Sequence, residues 1–198
     1  GDKVSHGWSL LDIVKHAACT YVASLSPSDF LCVVSYSTYA RLDIDWHPCT
    51  EEGKAALDTA IRRLCTEGTT NLVDGIDKGV RQFGRLPDEV VAAPNEYAMM
   101  LAVCTDGMPN DRSFDYARLV KALRDEVEEA YGLAARPTLT AIGFGNALDS
   151  TLLHSFSDVF LHIPDPGSVG SFMVGLVAAT RSTAKLSTRT AGTITANR

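Results

Sequence analysis

Two short, almost continuous apolar runs constrain the fold of this chain most strongly. They read FLCVVSYS from residue 30 and YAMMLAVCT from residue 97. Runs without alternation are typical of strands that are covered on both faces. Helical patterns separate these strands from each other and from a further strand pattern, PTLTAIGFG, and this alternation favours parallel pairing. The sequence therefore predicts an α/β domain with a doubly wound, mostly parallel sheet and helices on both faces.

Residues with helical spacing alternate with these strands. Ser9, Thr50, Ser113 and Asp149 are the predicted N-caps of four helices, and Asp12 is the expected capping-box partner of Ser9. The predicted helices are WSLLDIVKHAACTYVASL, TEEGKAALDTAIRRLC, LVDGIDKGVRQFGRL, SFDYARLVKALRDEVEEAYG, DSTLLHSFS and GSVGSFMVGLVAAT.

The remaining segments have weaker patterns. YARLDIDW alternates and predicts an edge strand, antiparallel to FLCVVSYS across the tight STY connection. VFLHI predicts a short strand, and PDEVVAAPNE is expected to be a loop. The tail KLSTRTAGTITANR alternates weakly, which fits either a strand or a linker.

Length and charge limit the classes of function. The 198 residues fit one domain, and a net charge of −6 disfavours a broad surface for nucleic acid or for an anionic membrane. No apolar run approaches the roughly 20 residues of a membrane span, and no signal peptide is visible. We therefore expect no nucleic-acid or membrane partner and a cytoplasmic location.

The cysteines indicate free thiols. There are five, their spacing is wide and no CxxC pair exists, so a zinc site is disfavoured. Cys32 and Cys104 lie within the apolar runs, where a thiol behaves as a small hydrophobe. We expect all five to be reduced, as in a cytosolic compartment.

Several enzyme motifs are missing from the sequence. It has no phosphate-binding GxxxxGK[ST] loop and no GxSxG nucleophile elbow, and GFGNAL lacks the third glycine of a dinucleotide fingerprint. An α/β enzyme with Asp106 as acid or base remains an alternative, but no suitable His, Lys or Cys accompanies Asp106 in any motif. We therefore expect no enzymatic activity.

Two oxygen-bearing loops indicate a different chemistry. GTTN, which contains Thr70, precedes a helix, and TDG, which contains Asp106, ends a central strand. In a doubly wound sheet both loops reach the same edge. Hydroxyl and carboxylate oxygens suit a hard divalent cation such as Mg²⁺. Taken singly, each motif is also explained by a helix cap or a turn.

These segments together resemble the von Willebrand factor A domain. The matching pieces, in the order of that family, are LLDIVKHAACTYVASLSPSDFLCVVSYSTYARL, GTTNLVDGI, LAVCTDGMPN, TAIGFGNALDSTLLHSFS and IPDPGSVGSFMVGLVAAT. The last piece is most similar to intracellular eukaryotic members, in which the domain is joined to RING or U-box and hedgehog/intein-like domains. The resemblance places the domain at residues 1–183, with 184–198 as a tail or the start of a following segment.

The resemblance implies a protein-binding function. In the family, a metal-ion-dependent adhesion site takes a Thr and an Asp from loops that match Thr70 and Asp106, and a partner protein supplies an acidic ligand to Mg²⁺. The family's Asp-x-Ser-x-Ser loop and the strand before it are missing from this sequence. A metal-independent scaffold or assembly subunit is therefore the alternative function.

The missing strand leads to a further expectation. In the family it lies between the strands that match FLCVVSYS and YAMMLAVCT, and a gap there would leave many backbone groups unpaired. We expect an upstream segment to fill this gap, then another chain, and only last the tail, because the tail is short and polar.

Overall fold

The computed structural model describes residues 3–4, 8–66, 68–105, 108–110, 113–132, 136–146, 148–183 and 189–197. Its helices are α1 (Leu10–Ser24), α2 (Glu51–Arg62), α3 (Leu72–Arg81), α4 (Asp88–Ala92), α5 (Tyr116–Tyr131), α6 (Ser150–Phe156) and α7 (Val169–Thr183). Its strands are β1 (Lys3–Val4), β2 (Trp8–Ser9), β3 (Phe30–Tyr36), β4 (Ala40–Pro48), β5 (Tyr97–Thr105), β6 (Thr138–Phe144), β7 (Val159–Ile163) and β8 (Arg189–Asn197).

Six strands form one sheet in the order β4-β3-β8-β5-β6-β7. β4 runs antiparallel to β3, and every other neighbouring pair is parallel. This arrangement confirms the predicted doubly wound fold with one antiparallel edge strand. β1 and β2 form a separate two-stranded hairpin, which the sequence analysis did not predict.

The helix boundaries largely follow the predicted caps. Ser9 and Asp12 form the capping box of α1, and the side chains of Thr50 and Asp149 cap α2 and α6. The prediction for α5 was wrong. Asp115, and not Ser113, caps this helix by accepting a hydrogen bond from the Arg118 amide at 3.0 Å. Both residue types are good caps, so the sequence alone did not distinguish them.

The segment PDEVVAAPNE was also predicted incorrectly. It contains the short helix α4 and a 3₁₀ turn at Pro94–Glu96, and not only loop. Val90 is buried against the second apolar cluster described below, so tertiary packing holds one helical turn that local propensity does not specify.

Each face of the sheet carries its own apolar core. Alternate residues of β5 divide between them: Met100 and Cys104 face the cluster under α1, α2 and α7, whereas Leu101 and Val103 face the cluster under α3, α5 and α6. This division is the period-two geometry of a strand that is buried on both faces. It explains why the run YAMMLAVCT shows no alternation of apolar and polar residues.

The tail supplies the strand at the centre of the sheet. β8 lies between β3 and β5 and pairs in parallel with both. Our expectation that an upstream segment or another chain would fill this gap was wrong, because backbone hydrogen bonds form with any extended segment, whatever its side chains. The sheet thus includes residues beyond the boundary predicted after residue 183. The assignment of residues 184–198 as a tail or following segment remains a prediction.

The two buried threonine hydroxyls of β8 differ in their polar contacts. The hydroxyl oxygen of Thr193 lies 3.1 Å from the sulfur of Cys32. The buried hydroxyl of Thr195, in contrast, has no hydrogen-bond partner among the described residues. Helix α3 approaches β8 closely at Gly79, where an added Cβ would lie 2.6 Å from Thr195 Oγ1. A glycine at residue 79 therefore allows this helix to cover the central strand.

The five cysteines are free thiols in the structure, as the sequence analysis predicted. Burial raises the pKa of the Cys32, Cys49 and Cys104 thiols to about 12, so these thiols stay protonated at neutral pH. Protonated, buried thiols are unreactive. The reducing compartment remains a prediction.

Replacing the unpartnered hydroxyl of Thr195 should stabilise the protein. We expect Thr195→Val to raise the free energy of unfolding by about 1 kcal/mol, because a buried hydroxyl without a partner costs about 1–3 kcal/mol. Thr193→Val on the same strand is the matched control and should be neutral or destabilising, since it removes the contact with Cys32. Urea unfolding of the two variants measures the difference. Equal effects would contradict this account of β8.

Deleting β8 should abolish the cooperative fold. Without residues 189–198, β3 and β5 lose the partner between them, and each buried unpaired group costs about 1–3 kcal/mol against a typical domain stability of about 5–15 kcal/mol. Hydrogen exchange of residues 30–36 and 98–104 measures the loss. Strong protection of both strands in the shortened, monomeric chain would show that β8 is dispensable.

Candidate functional site

The polar loops meet where the parallel strands end. We call this surface the carboxyl-end rim. It lies at the ends of β3 and β5, and β8 ends between them. In doubly wound sheets this edge is where ligands bind. The described rim residues are Ser37, Thr38, Thr69, Thr70, Asn71, Thr105 and Asn110.

A reciprocal pair of hydrogen bonds joins the two predicted loops. The Thr70 amide donates to Asn110 Oδ1 at 3.1 Å, and the Asn110 amide donates to the Thr70 carbonyl at 3.1 Å. Thr70 belongs to the loop before α3, and Asn110 belongs to the loop after β5. The GTTN loop therefore contacts the loop that follows TDG, at the same edge of the sheet.

The loop after β3 joins the same network. The Thr38 and Thr69 hydroxyl oxygens are 3.2 Å apart, and Asn71 Nδ2 donates to the Thr38 carbonyl at 3.3 Å. Gly68 permits this approach because its φ is +60° and a Cβ there would lie 2.5 Å from Thr38 Oγ1. The glycine of GTTN thus places two threonine hydroxyls side by side.

Two further contacts fix the rim to the sheet. The side chain of Asn71 caps α3 by accepting a hydrogen bond from the Asp74 backbone amide at 3.2 Å. The backbone amide of Asn71 donates to the Ser37 carbonyl at 2.7 Å. The buried Tyr36 hydroxyl donates to the Cys104 carbonyl at 3.2 Å and so joins the ends of β3 and β5 across β8. The rim is therefore held by packed elements on both sides of the central strand.

One of the two predicted site residues is described by the structure. Thr70 lies at the rim and is partly buried, and its role as a metal ligand remains a prediction. Asp106 lies outside the described residues, so its distance from Thr70 remains a prediction. The sequence analysis missed Asn110 and Thr38. Asn110 follows Met108-Pro109, and its position after a proline indicated only a turn.

The oxygen atoms of the rim suit a hard cation in kind but supply little charge. The described rim residues offer hydroxyl, amide and carbonyl oxygens, which Mg²⁺ accepts as ligands. Among the described residues, no group of three or more His, Cys, Asp or Glu side chains could hold a metal ion. A cation here would also need a carboxylate, and Asp106, the one predicted from the sequence, lies outside the described residues.

Large apolar side chains are exposed in the chain segments that follow β3 and β5. Tyr39, in the turn after β3, is 75% exposed, and Met108 and Phe114 are exposed in the segment between β5 and α5. Tyrosine, phenylalanine and methionine are enriched at protein–protein interfaces. The rim thus combines a polar centre with the side chains that protein partners commonly contact.

No helix in the described part of the chain combines the length and apolar character needed to cross a membrane.

Comparison with solved structures supports the fold. A von Willebrand factor type A protein from Catenulispora acidiphila aligns with 86% of this chain and 38% of its own, at 17% identity and a TM-score of 0.65. The conserved hypothetical protein BatB from Bacteroides thetaiotaomicron aligns with 87% of this chain and 88% of its own, at 10% identity and a TM-score of 0.62.

Proximal thread matrix protein 1 from the mussel byssus is also similar, with 86% of this chain and 41% of its own aligned, at 16% identity and a TM-score of 0.60. Identities this low establish the fold alone. This chain spans well under half the length of two of these three structures. A search of curated protein sequences found no significant match.

The sequence model of the von Willebrand factor type A domain matches residues 2–159, most of the chain. Domains of this type generally mediate protein–protein interactions. The family match agrees with the sheet order, the helices on both faces and the position of the polar loops at the strand ends. The chain belongs to the von Willebrand factor type A domain family.

Proposed function

We propose that this domain binds a protein partner through its carboxyl-end rim. The observation that carries the proposal is the reciprocal pair between Thr70 and Asn110, because it joins the loop before α3 to the loop after β5 in one continuous surface. The exposed side chains of Tyr39, Met108 and Phe114 provide apolar contact area around the polar centre.

In this proposal, Thr70 and Asp106 hold a Mg²⁺ ion at the rim. The Thr70 hydroxyl and the Asp106 carboxylate supply hard oxygen ligands, and water completes the coordination of a weakly held Mg²⁺. A cation held by these two residues would supply the positive charge that an acidic ligand of the partner contacts. Asn110 positions the Thr70 loop through two hydrogen bonds without being assigned as a ligand.

A metal-independent scaffold is the second candidate, and two observations favour it. Several described polar groups of the rim already bond to one another: the Thr38 hydroxyl to that of Thr69, and the Thr70 backbone amide to the Asn110 side chain. At the end of the central strand, where the family pattern places an acidic loop, β8 has Ala196 and Asn197. Neither residue type is charged, whereas a strong cation site requires charged ligands.

Other parts of the proposal rest on the sequence. We propose that the domain has no catalytic activity of its own, that it works in the cytoplasm, and that its parent protein is associated with a ubiquitin-ligase module. The last point depends on the resemblance of HIPDPGSVGSFMVGLVAAT to RING- and U-box-linked members.

Titration with Mg²⁺ and Mn²⁺ tests the metal. We expect isothermal titration to show binding by the wild-type chain, and at least tenfold weaker binding by Thr70→Ala and Asp106→Asn, because each removes an oxygen ligand or its charge. Thr59→Ala and Asp88→Asn, on α2 and α4, are the matched controls and should bind as the wild type does. Absence of metal binding by the folded wild-type chain would contradict the proposed metal site and favour the metal-independent scaffold.

Capture experiments with rim variants test the protein-binding role separately. We expect a double variant, Tyr39→Ala with Phe114→Ala, to lose most of a partner that the wild-type chain retains, because aromatic residues are common hot spots of interfaces and truncating a hot spot costs about 2 kcal/mol or more. Val91→Ala, an exposed apolar position on α4, is the control. Equal retention of the partner by the wild type, the double variant and the control would place the binding surface elsewhere. Loss of the captured partner in EDTA would indicate the metal-dependent function, and retention in EDTA would indicate the scaffold.

A further inference from the structure

β7 is an edge strand with an apolar composition. It pairs with β6 on one side, and no described strand pairs with its other side. Its sequence, VFLHI, contains no acidic side chain, lysine, arginine or proline, and Val159 is 40% exposed. Edge strands usually carry charges or prolines that prevent pairing with another chain.

Helix α7 continues this apolar surface. No charged residue occurs between Asp165 and Arg181. Phe172 is 38% exposed and lies with Gly175 and Ala179 along a groove whose other wall is Val159 and Leu161. A helix that is apolar on its exposed side as well as its buried side is typical of a covered helix.

β7 is complementary to itself. In an antiparallel pairing centred on Leu161, Val159 lies opposite Ile163 of a second copy, and Leu161 lies opposite its own equivalent. All three side chains lie on the α7 face of the sheet. On the other face, Phe160 lies opposite His162. Apolar and aromatic cross-strand pairs stabilise a sheet, and no like charges meet.

The opposite edge of the sheet behaves differently. When β4 is paired with itself along its whole length, Asp43 lies opposite Asp45 and Arg41 lies opposite His47. The Asp43–Asp45 pair is destabilising because like charges lie directly opposite each other. Pro48 also lacks a backbone donor. The charges of β4 therefore protect one edge, while β7 has no equivalent protection.

We propose that two copies of this chain associate through their β7 strands. The two sheets then form one continuous sheet around a two-fold axis at Leu161, and the two grooves along α7 adjoin on the same face. A second copy fits this surface because it brings an equally uncharged strand and groove, so association adds no charged contact at the interface although each chain carries −6.

The oligomeric state of the full chain tests this interface. We expect sedimentation velocity to show a concentration-dependent dimer, and Val159→Lys to raise its dissociation constant by at least tenfold, because two lysines would be buried beside the axis. Val91→Lys is the matched control: Val91 is 62% exposed on α4, far from β7 in the sequence, and the variant should dimerise as the wild type does. A monomer at all concentrations, or a dimer unaffected by Val159→Lys, would overturn the proposal.

Cross-linking tests the register and does not depend on the folding of the lysine variant. Residues directly opposite in an antiparallel pair have Cβ atoms about 4.5–5.5 Å apart, and a small shift brings the closer pairs to the roughly 3.5–4.5 Å of a disulfide. In a Cys65→Ser background, which removes the exposed thiol, Leu161→Cys should form a disulfide-linked dimer on mild oxidation. Val91→Cys in the same background should not. Equal cross-linking of both variants, or none at residue 161, would exclude this two-fold pairing.

Discussion

The pairing of β8 with β3 and β5 is the interaction on which the rest of the structure depends. Both neighbours are buried on both faces, so their backbone groups have no access to water and need a partner strand. Thr193 and Thr195 are buried polar residues, yet the strand fits because its ladder is made by the backbone. Without it the sheet would consist of two separate halves.

The rim depends on this closure. Tyr36 reaches across β8 to the Cys104 carbonyl, and Asn71 joins the start of α3 to the Ser37 carbonyl at the end of β3. These contacts hold the loops after β3 and before α3 in fixed positions, and Asn110 extends the network to the loop after β5. A surface made of three loops therefore behaves as one unit, which suits recognition of a folded protein.

The two edges of the sheet are protected to different degrees against pairing with another chain. The alternating charges of β4 favour solvent, whereas β7 and the outer side of α7 form a continuous apolar surface. The proposed partner-binding rim is built from the loops around β3 and β5, whereas the proposed dimer edge is β7, two strands away from β5 in the sheet.

The sequence by itself determined the α/β class, most element boundaries and the location of Thr70, because burial on both faces and helix caps leave local patterns. It did not determine which segment fills the gap between β3 and β5, since backbone pairing leaves little pattern in a polar tail such as GTITA. Only the tertiary structure decided that β8 fills the gap. It also showed that Asn110 holds the Thr70 loop, because this contact joins segments that are distant in sequence. The choice of Asp115 over Ser113 as the cap of α5 was likewise open, because both residue types are good caps.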